Sequence, residues 1–486
     1  MRWQFAALLG SVFATLGCQG ANPPPPPPPP PPADAGGVTA RQPDGWDQGV
    51  ALSSPDDLDA KPDVVELNLT ARLSHQVFLP GIATQVWAYN GQVPGPLIRA
   101  RVGDEVVVHL SNALMQDTLI HWHGVRVPNA MDGTPMVQDP VQPDAGFTYR
   151  FRVNDPGLYW YHPHTHSSGQ VGFGLYGALL VTDPTEPPLG DDLVLVLSDI
   201  GIQKDGGLDP ADSDGWFGSY FGREGAQLLV NGRIMPTLVA RVGVPQRWRI
   251  VNAARSRYMK FRLPSADVFR IGGDRGLIER PLAVAAVELA PGQRVELWVK
   301  PKAVITPAAT VKWEDSNRFH IAVERESEPM FLWKVVAAEP GQPEALLPAE
   351  LRPIEALPDA GAKPRIVDFG EGSKAGVGVL TIDGKTTEEN QPYLATEGDT
   401  EHWTVKNSTP YDHPFHLHGY FFQVKDVDGV ARPFPEWSDT VNLPAKKSVR
   451  FLVRYEDRPG MWMFHCHILD HADLGMMAML HVHPKH

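Results

Sequence analysis

The chain has 486 residues, enough for about three domains of ~150 residues each, and its 45 Gly and 48 Pro favour loop-rich β architecture over helix bundles. A formal net charge of −14 argues against nucleic-acid binding as a main role, and an acidic surface serves solubility. With only Cys18 and Cys466 present, a disulfide framework is excluded.

The chain opens with Arg2 and an apolar run from Phe5 to Leu16. That pattern is a secretory signal over residues 1–18, too short to span a bilayer as a mature helix. Leu16-Gly17-Cys18 resembles a bacterial lipoprotein cleavage box, which would make Cys18 a lipid anchor, although Thr15 departs from that pattern. Ordinary secretion is the alternative, and either route implies a periplasmic or cell-envelope protein. Ten prolines, Pro23 to Pro32, predict a stiff polyproline spacer within a Pro-, Asp- and Gly-rich linker over 19–60, read as disordered.

From residue 61 onward one pattern recurs three times. Asn90-Gly91 leads to Val102-Gly103 and then Asn112; Asn231-Gly232 leads to Val242-Gly243 and then Asn252; Asp383-Gly384 leads to Glu397-Gly398 and then Asn407. The second Gly and the Asn are nine residues apart each time, with alternating apolar positions that predict a strand. Copies this far apart are whole domains, predicted at 61–185, 186–345 and 346–486, each a Greek-key β-sandwich or barrel.

The first and third copies carry His-rich strings: His121-Trp-His123-Gly, His162-Pro-His164, His413-Pro-Phe-His416-Leu-His418-Gly and His465-Cys466-His467-Ile-Leu-Asp-His471. They hold ten of the eighteen histidines and one of the two cysteines. Residues two apart on a strand share a face at roughly 7 Å, so His-X-His presents two imidazoles to adjacent metals. In His465-Cys466-His467 the thiolate points the other way, toward a separate mononuclear site. One Cys, two His and a weak thioether make a blue copper centre, here Cys466, His413 and His471 with Met476. The other eight His suit a three-copper cluster.

Counting from the repeated Asn shows where ligands are missing. The His pair after Asn112 and Asn407 is replaced after Asn252 by Phe261 and Leu263. In the first copy Pro163 stands for Cys466, Thr118 for His413, Ser168 for His471 and Phe173 for Met476. The reading is a cluster shared by copies one and three, a blue site in copy three alone, and copy two as a spacer.

The four strings, in this order and with every ligand present, resemble the copper-binding signatures of the three-domain multicopper oxidases over about residues 61–486. The resemblance implies an all-β fold of three consecutive cupredoxin-like domains and four copper ions per chain. His121 and His416 would bind the type 2 copper. His123, His162 and His467 would hold one type 3 copper, and His164, His418 and His465 the other. Cys466, His413, His471 and Met476 would form type 1. Electrons taken at type 1 from phenolic substrates or metal ions (cuprous, ferrous) would reduce dioxygen to water at the cluster, with copper tolerance as a candidate role. Asp132 has the spacing of a proton-relaying carboxylate, the plainer alternative being a loop Asp. Asp439 resembles an acidic residue near the blue site that hydrogen-bonds a ligand His. Several bacterial relatives carry an acid directly after the second blue-site His, where this chain has Ala472 flanked by Asp470 and Asp473. His166 is read as lying outside the ligand set.

The partners so implied are dioxygen and a phenolic or metal-ion reductant, with no nucleic acid, no membrane contact beyond a lipid anchor, and a monomeric chain. The alternative function is a non-catalytic copper-binding protein of cupredoxin fold.

Overall fold

The repeated turn has one conformation in all three copies. Asn90, Asn231 and Asp383 have φ of 52°, 50° and 53°, and Gly91, Gly232 and Gly384 follow at 80°, 71° and 75°. Two consecutive positive φ values are the signature of a type I′ turn and explain the choice of Asn or Asp before Gly. The side chain then ties the turn to its sheet. Asn90, Asn231 and Asp383 accept from the N–H of Thr70 (2.7 Å), Val196 (2.6 Å) and Asp368 (2.7 Å).

The second repeated residue is a clamp. The Asn112 amide donates to the carbonyls of Gln116 (2.9 Å) and Val141 (2.8 Å), and its oxygen accepts from Leu114 N–H. Asn252 does the same to Arg257, Leu289 and Ala254, and Asn407 to Tyr411, Leu443 and Thr409. All three are buried, so each must bond fully, and each pins the loop that leads toward the His-bearing position.

This computed structural model describes residues 41–322, 325–341 and 345–485. The expected signal, Cys18 and the Pro23–Pro32 tract lie outside the described residues. Six sheets fall in three successive pairs along the chain, within 64–182, 191–336 and 363–483. Each pair begins alike: Val64–Leu79 runs parallel to Glu105–Ala113, Asp191–Ile200 to Gln246–Asn252, and Lys363–Lys374 to Thr400–Asn407. A parallel pairing of strands that are not sequence neighbours requires the chain to cross between sheets, which is the Greek-key connection. Alternating inward residues fill three separate cores, and Val108, Trp248 and Trp403 occupy the same place in each. The fold is all-β, in cupredoxin-like domains. Among the described residues no helix is long and apolar enough to cross a membrane.

Residues 41–60 are not the disordered linker expected from their composition. Gln42 donates to the carbonyls of Val244 and Pro245, Asn231 donates to that of Val50 (2.6 Å), and Leu97 N–H donates to that of Ser53 (2.8 Å). Val50 is buried in the middle core. Pro and Asp dictate an irregular path here, and tertiary hydrogen bonds order it.

Candidate metal centre

Four strands, and the residues just beyond their ends, carry the ten histidines to one region. In the N-terminal pair, His121–His123 lies antiparallel to Gly157–His162, with His121 opposite His162. In the C-terminal pair, His413–Leu417 lies antiparallel to Gly460–Cys466, with His416 opposite His465 and Phe415 opposite Cys466. Imidazoles of the two pairs meet face to face: His121 stacks on His418 at 3.9 Å between centroids, and His123 on His416 at 3.8 Å. Candidate ligand atoms lie within 4.8 Å of one another in His121–His416–His418, in His121–His123–His162 and in His164–His418–His465. His164 and His465 bring their Nε2 atoms to 3.3 Å, His418 and His465 to 3.1 Å, and His467 Nε2 lies 3.1 Å from His123 Nδ1.

The other ring nitrogens are used to aim these rings. His121 and His416 donate from Nδ1 to the carbonyls of Asp132 (2.8 Å) and Asp439 (2.9 Å), which leaves each Nε2 buried without a partner. His162 and His465 donate from Nδ1 to Pro163 and Cys466 carbonyls, and His418 donates from Nδ1 to the Asp132 carboxylate (2.9 Å). His123 is turned around, with Nε2 on Asp439 and Thr440 and Nδ1 toward the cluster. Burial, reinforced by neighbouring imidazoles, holds His123, His162, His164, His418 and His467 well below the ordinary histidine range. They are neutral, with inward lone pairs.

The second group lies on the other face of the same strand. Cys466 Sγ is 3.4 Å from His413 Nδ1 and 3.5 Å from His471 Nδ1, and the two Nδ1 atoms are 3.2 Å apart. His413 Nε2 is fixed by the Thr409 hydroxyl (2.9 Å), and Thr409 in turn is held by the Asn407 clamp. Met476 is fully buried, its N–H donating to His471 and its carbonyl accepting from Cys466. Burial pushes the Cys466 thiol far up, so ionising it requires a cation alongside.

Family models described as multicopper oxidase match residues 72–186 and 363–486. Multicopper oxidase MmcO of Mycobacterium tuberculosis is 30% identical over 463 residues, covering 85% of this chain and 86% of that protein. The chain belongs to the multicopper oxidase family. Cell division protein FtsP of Escherichia coli is also 30% identical, over 86% of this chain and 90% of its own length. A solved multicopper oxidase of Campylobacter jejuni, described as a metallo-oxidase, superposes with a TM-score of 0.79 at 28% identity over 90% of this chain and 94% of that one.

This multicopper oxidase is an oxidoreductase, and its family implies copper. The residues fit that metal. Imidazole nitrogens with no partner (Nε2 of His121, His162 and His416) converge in a buried site, and a thiol sits between two imidazoles. Such a donor set is costly to bury unless cations satisfy it. Gly124, which ends the first string, has φ +82°, and a Cβ there would lie 2.4 Å from Arg294 and 2.5 Å from Asp439. Only a glycine lets that ion pair reach the cluster.

One placement differs from the sequence reading of this oxidase, that of Asp439. Asp439 is not beside the Cys466 group; its carboxylate lies 3.2 Å from His123 Nε2 and 3.5 Å from His416 Nδ1. Strand Thr440–Leu443 pairs Thr440 with His416, which draws Asp439 to the cluster face. Asp132 is buried at the cluster, bridging His418 and His121 (Nδ1 to Oδ1, 3.4 Å). His471 sits on a short helix, Leu469–Asp473. Within that helix Asp470 is locked by the Arg223 guanidinium, Ser168 (2.6 Å) and Ser256 (3.1 Å). His166 is exposed, 3.6 Å from Asp117.

The middle copy is more than a spacer. Its Arg294 is fully buried and pairs with Asp439 through two N–H groups. Its helix Gly215–Phe221 brings an aromatic roof toward the Cys466 group, with Tyr220 and Phe221 against Tyr411 and Tyr411 against both His413 (5.0 Å) and His471 (6.1 Å). Trp216 and Phe217 of that helix stay largely exposed. The run Trp216-Phe217…Tyr220-Phe221 is the available signal for the roof; nothing local marks Arg294.

Proposed function

We propose that the chain oxidises one-electron donors at a type 1 copper held by Cys466, His413, His471 and Met476, and reduces dioxygen to water at a three-copper cluster. In this reading His121 and His416 hold type 2, His123, His162 and His467 one type 3 ion, and His164, His418 and His465 the other. Copper supplies the electron storage and the dioxygen chemistry when bound. The observation that carries the reading is the covalent junction: Cys466, in the thiolate group, is flanked by His465 and His467, both in the cluster. Electrons then cross one strand.

The chain's own residues supply orientation and protons. Asp132 fixes His418 and His121 and stands where it can pass a proton to oxygen being reduced. Asp439, held ionised by Arg294 against the cost of burial, keeps His123 in its reversed orientation. His413 is oriented by Thr409, and His471, packed beside Tyr411 under the aromatic roof, is the point of electron uptake.

The rings of Trp216, Phe217, Tyr220 and Phe221 support a phenolic reductant. A metal-ion reductant is the second reading, supported by the likeness to a metallo-oxidase. Extracytoplasmic placement rests on the Arg2 and Phe5–Leu16 pattern, and the domain limits 61–185, 186–345 and 346–486 are part of the same proposal. The test is oxygen uptake by copper-loaded protein given a methoxyphenol or cuprous ion separately. Faster uptake with the phenol supports the first reading and faster uptake with cuprous ion, above its uncatalysed rate, the second. Copper binding without uptake from either sinks the enzyme reading for these reductants and favours a copper-binding role.

A further inference from the structure

Reducing dioxygen to water consumes protons at the cluster, and Ala472 provides no carboxyl. Asp470 is tied up by Arg223. A third route is built into the fold. Between the middle and C-terminal sheets lies a cavity of about 360 Å³ whose wall includes Asp274 and Arg294 on one side and Ser438 and Thr440 on the other. Glu288 and Arg432 also line it and are solvent-exposed, so water reaches it.

The inner end of the cavity touches the cluster. Thr440 is buried, and its hydroxyl lies 3.1 Å from both His123 Nε2 and His416 Nδ1. Next to it, the Asp274 carboxylate accepts the N–H of Arg294 (3.0 Å), Asp439 (3.1 Å) and Thr440 (3.1 Å). Arg294 pairs with Asp439 and lies 3.4 Å from Asp274, so one guanidinium serves two buried carboxylates. The remaining charged groups on the wall are the Arg270–Glu436 pair (2.6 Å), Glu288 and Arg432. With one cation for two buried acids, one carboxyl lacks a full counter-charge and is the one disposed to hold a proton, against the backbone N–H groups that favour its charged form. Burial, opposed by Arg294 and reinforced by Asp439, raises Asp274 to about 7.

We propose that this cavity is a proton inlet to the histidine cluster, with Asp274 holding the proton at its inner end and Arg294 as a positioning residue. The inference rests on the dioxygen-reducing reading above. Asp274 takes a proton from cavity water onto a carboxylate oxygen and returns it to water beside Thr440. From there it goes to the oxygen being reduced, whose electrons come from the reductant. Only O–H bonds form and break at Asp274, and the cavity resupplies the proton.

The test uses the full-length, copper-loaded protein, reduced without air and then mixed with dioxygen, following return of the blue colour between about pH 5 and 8. Asp274→Asn should slow return by about tenfold or more at pH 7, leave anaerobic reduction by the donor unchanged, and recover with Asp274→Glu. A readout without metal accompanies it. A carboxyl whose folded pKa is raised stabilises the fold at low pH and loses that contribution as pH rises toward about 7. The melting temperature of the metal-free protein should carry this decline, and Asp274→Asn should remove it. An unchanged rate and pH profile in Asp274→Asn overturns the inlet. Should that variant misfold, Ser438→Phe, which fills the wall, decides: slowed return supports the inlet, and a wild-type rate overturns it. Absence of oxygen uptake in the wild type would instead overturn the parent reading.

Discussion

The N-terminal and C-terminal sheet pairs share a turn, an Asn clamp, a His-X-His strand pair and even a short helix at the same place, Ser167–Gly172 and Leu469–Asp473. They differ at one buried spot. Where the C-terminal pair sets His413, Cys466, His471 and Met476, the N-terminal pair has Thr118, Pro163, Ser168 and Phe173. Thr118 donates to Gln170 (2.7 Å), whose amide donates to Gln116 (3.0 Å) and the Asp117 carbonyl (2.8 Å). Phe173 packs on Trp87 at 5.3 Å. Ser168, in the place of His471, crosses to Asp470. Both spots must satisfy buried polar groups, one internally and the other with nitrogen and sulfur aimed at a common point. The scaffold is therefore indifferent to the metal, and a few side chains decide.

That contrast can be broken most directly at Cys466. Cys466→Ser should abolish the blue colour and oxygen uptake while leaving the circular dichroism of the fold intact; retained uptake would mean the two spots do not differ in the way described. Asp132→Asn acts on the part both pairs share. It should lower turnover by about 10–100-fold through the His418 and His121 contacts while the blue colour persists, checked by kcat together with copper content. An unchanged kcat would make Asp132 a structural loop residue. The smallest effect belongs to the metal-free spot. Thr118→Val should cost about 1 kcal/mol in urea unfolding, through the lost bond to Gln170, without altering activity per copper. A loss of activity there would show that the N-terminal spot has a role the comparison denies it.

Much of the centre was legible because its information is local. The His-X-His spacing, the Asn repeats and the substitutions at Thr118, Pro163, Ser168 and Phe173 need only a strand period and a count of residues. The turn at Asn90-Gly91 is dictated by two positive φ values that few other pairs adopt. Residues 41–60 are not legible for the opposite reason: Pro and Asp describe a chain without regular structure, and the residues that hold it, Asn231 and Val244, are distant in sequence.

What the amino-acid order determined by itself is the turn chemistry, the strand pattern and which copies carry the His and Cys strings. What only tertiary structure decided is which side of the strand pairing Asp439 faces, the reversed ring of His123, the aromatic roof, and the Asp274–Arg294–Asp439 cluster at the cavity. Arg294 and Asp439 are 145 positions apart, and no local rule couples them. Their pairing follows from packing: once the sheets close around Gly124, a buried guanidinium needs an acid, and Asp439 comes within reach alongside Asp274.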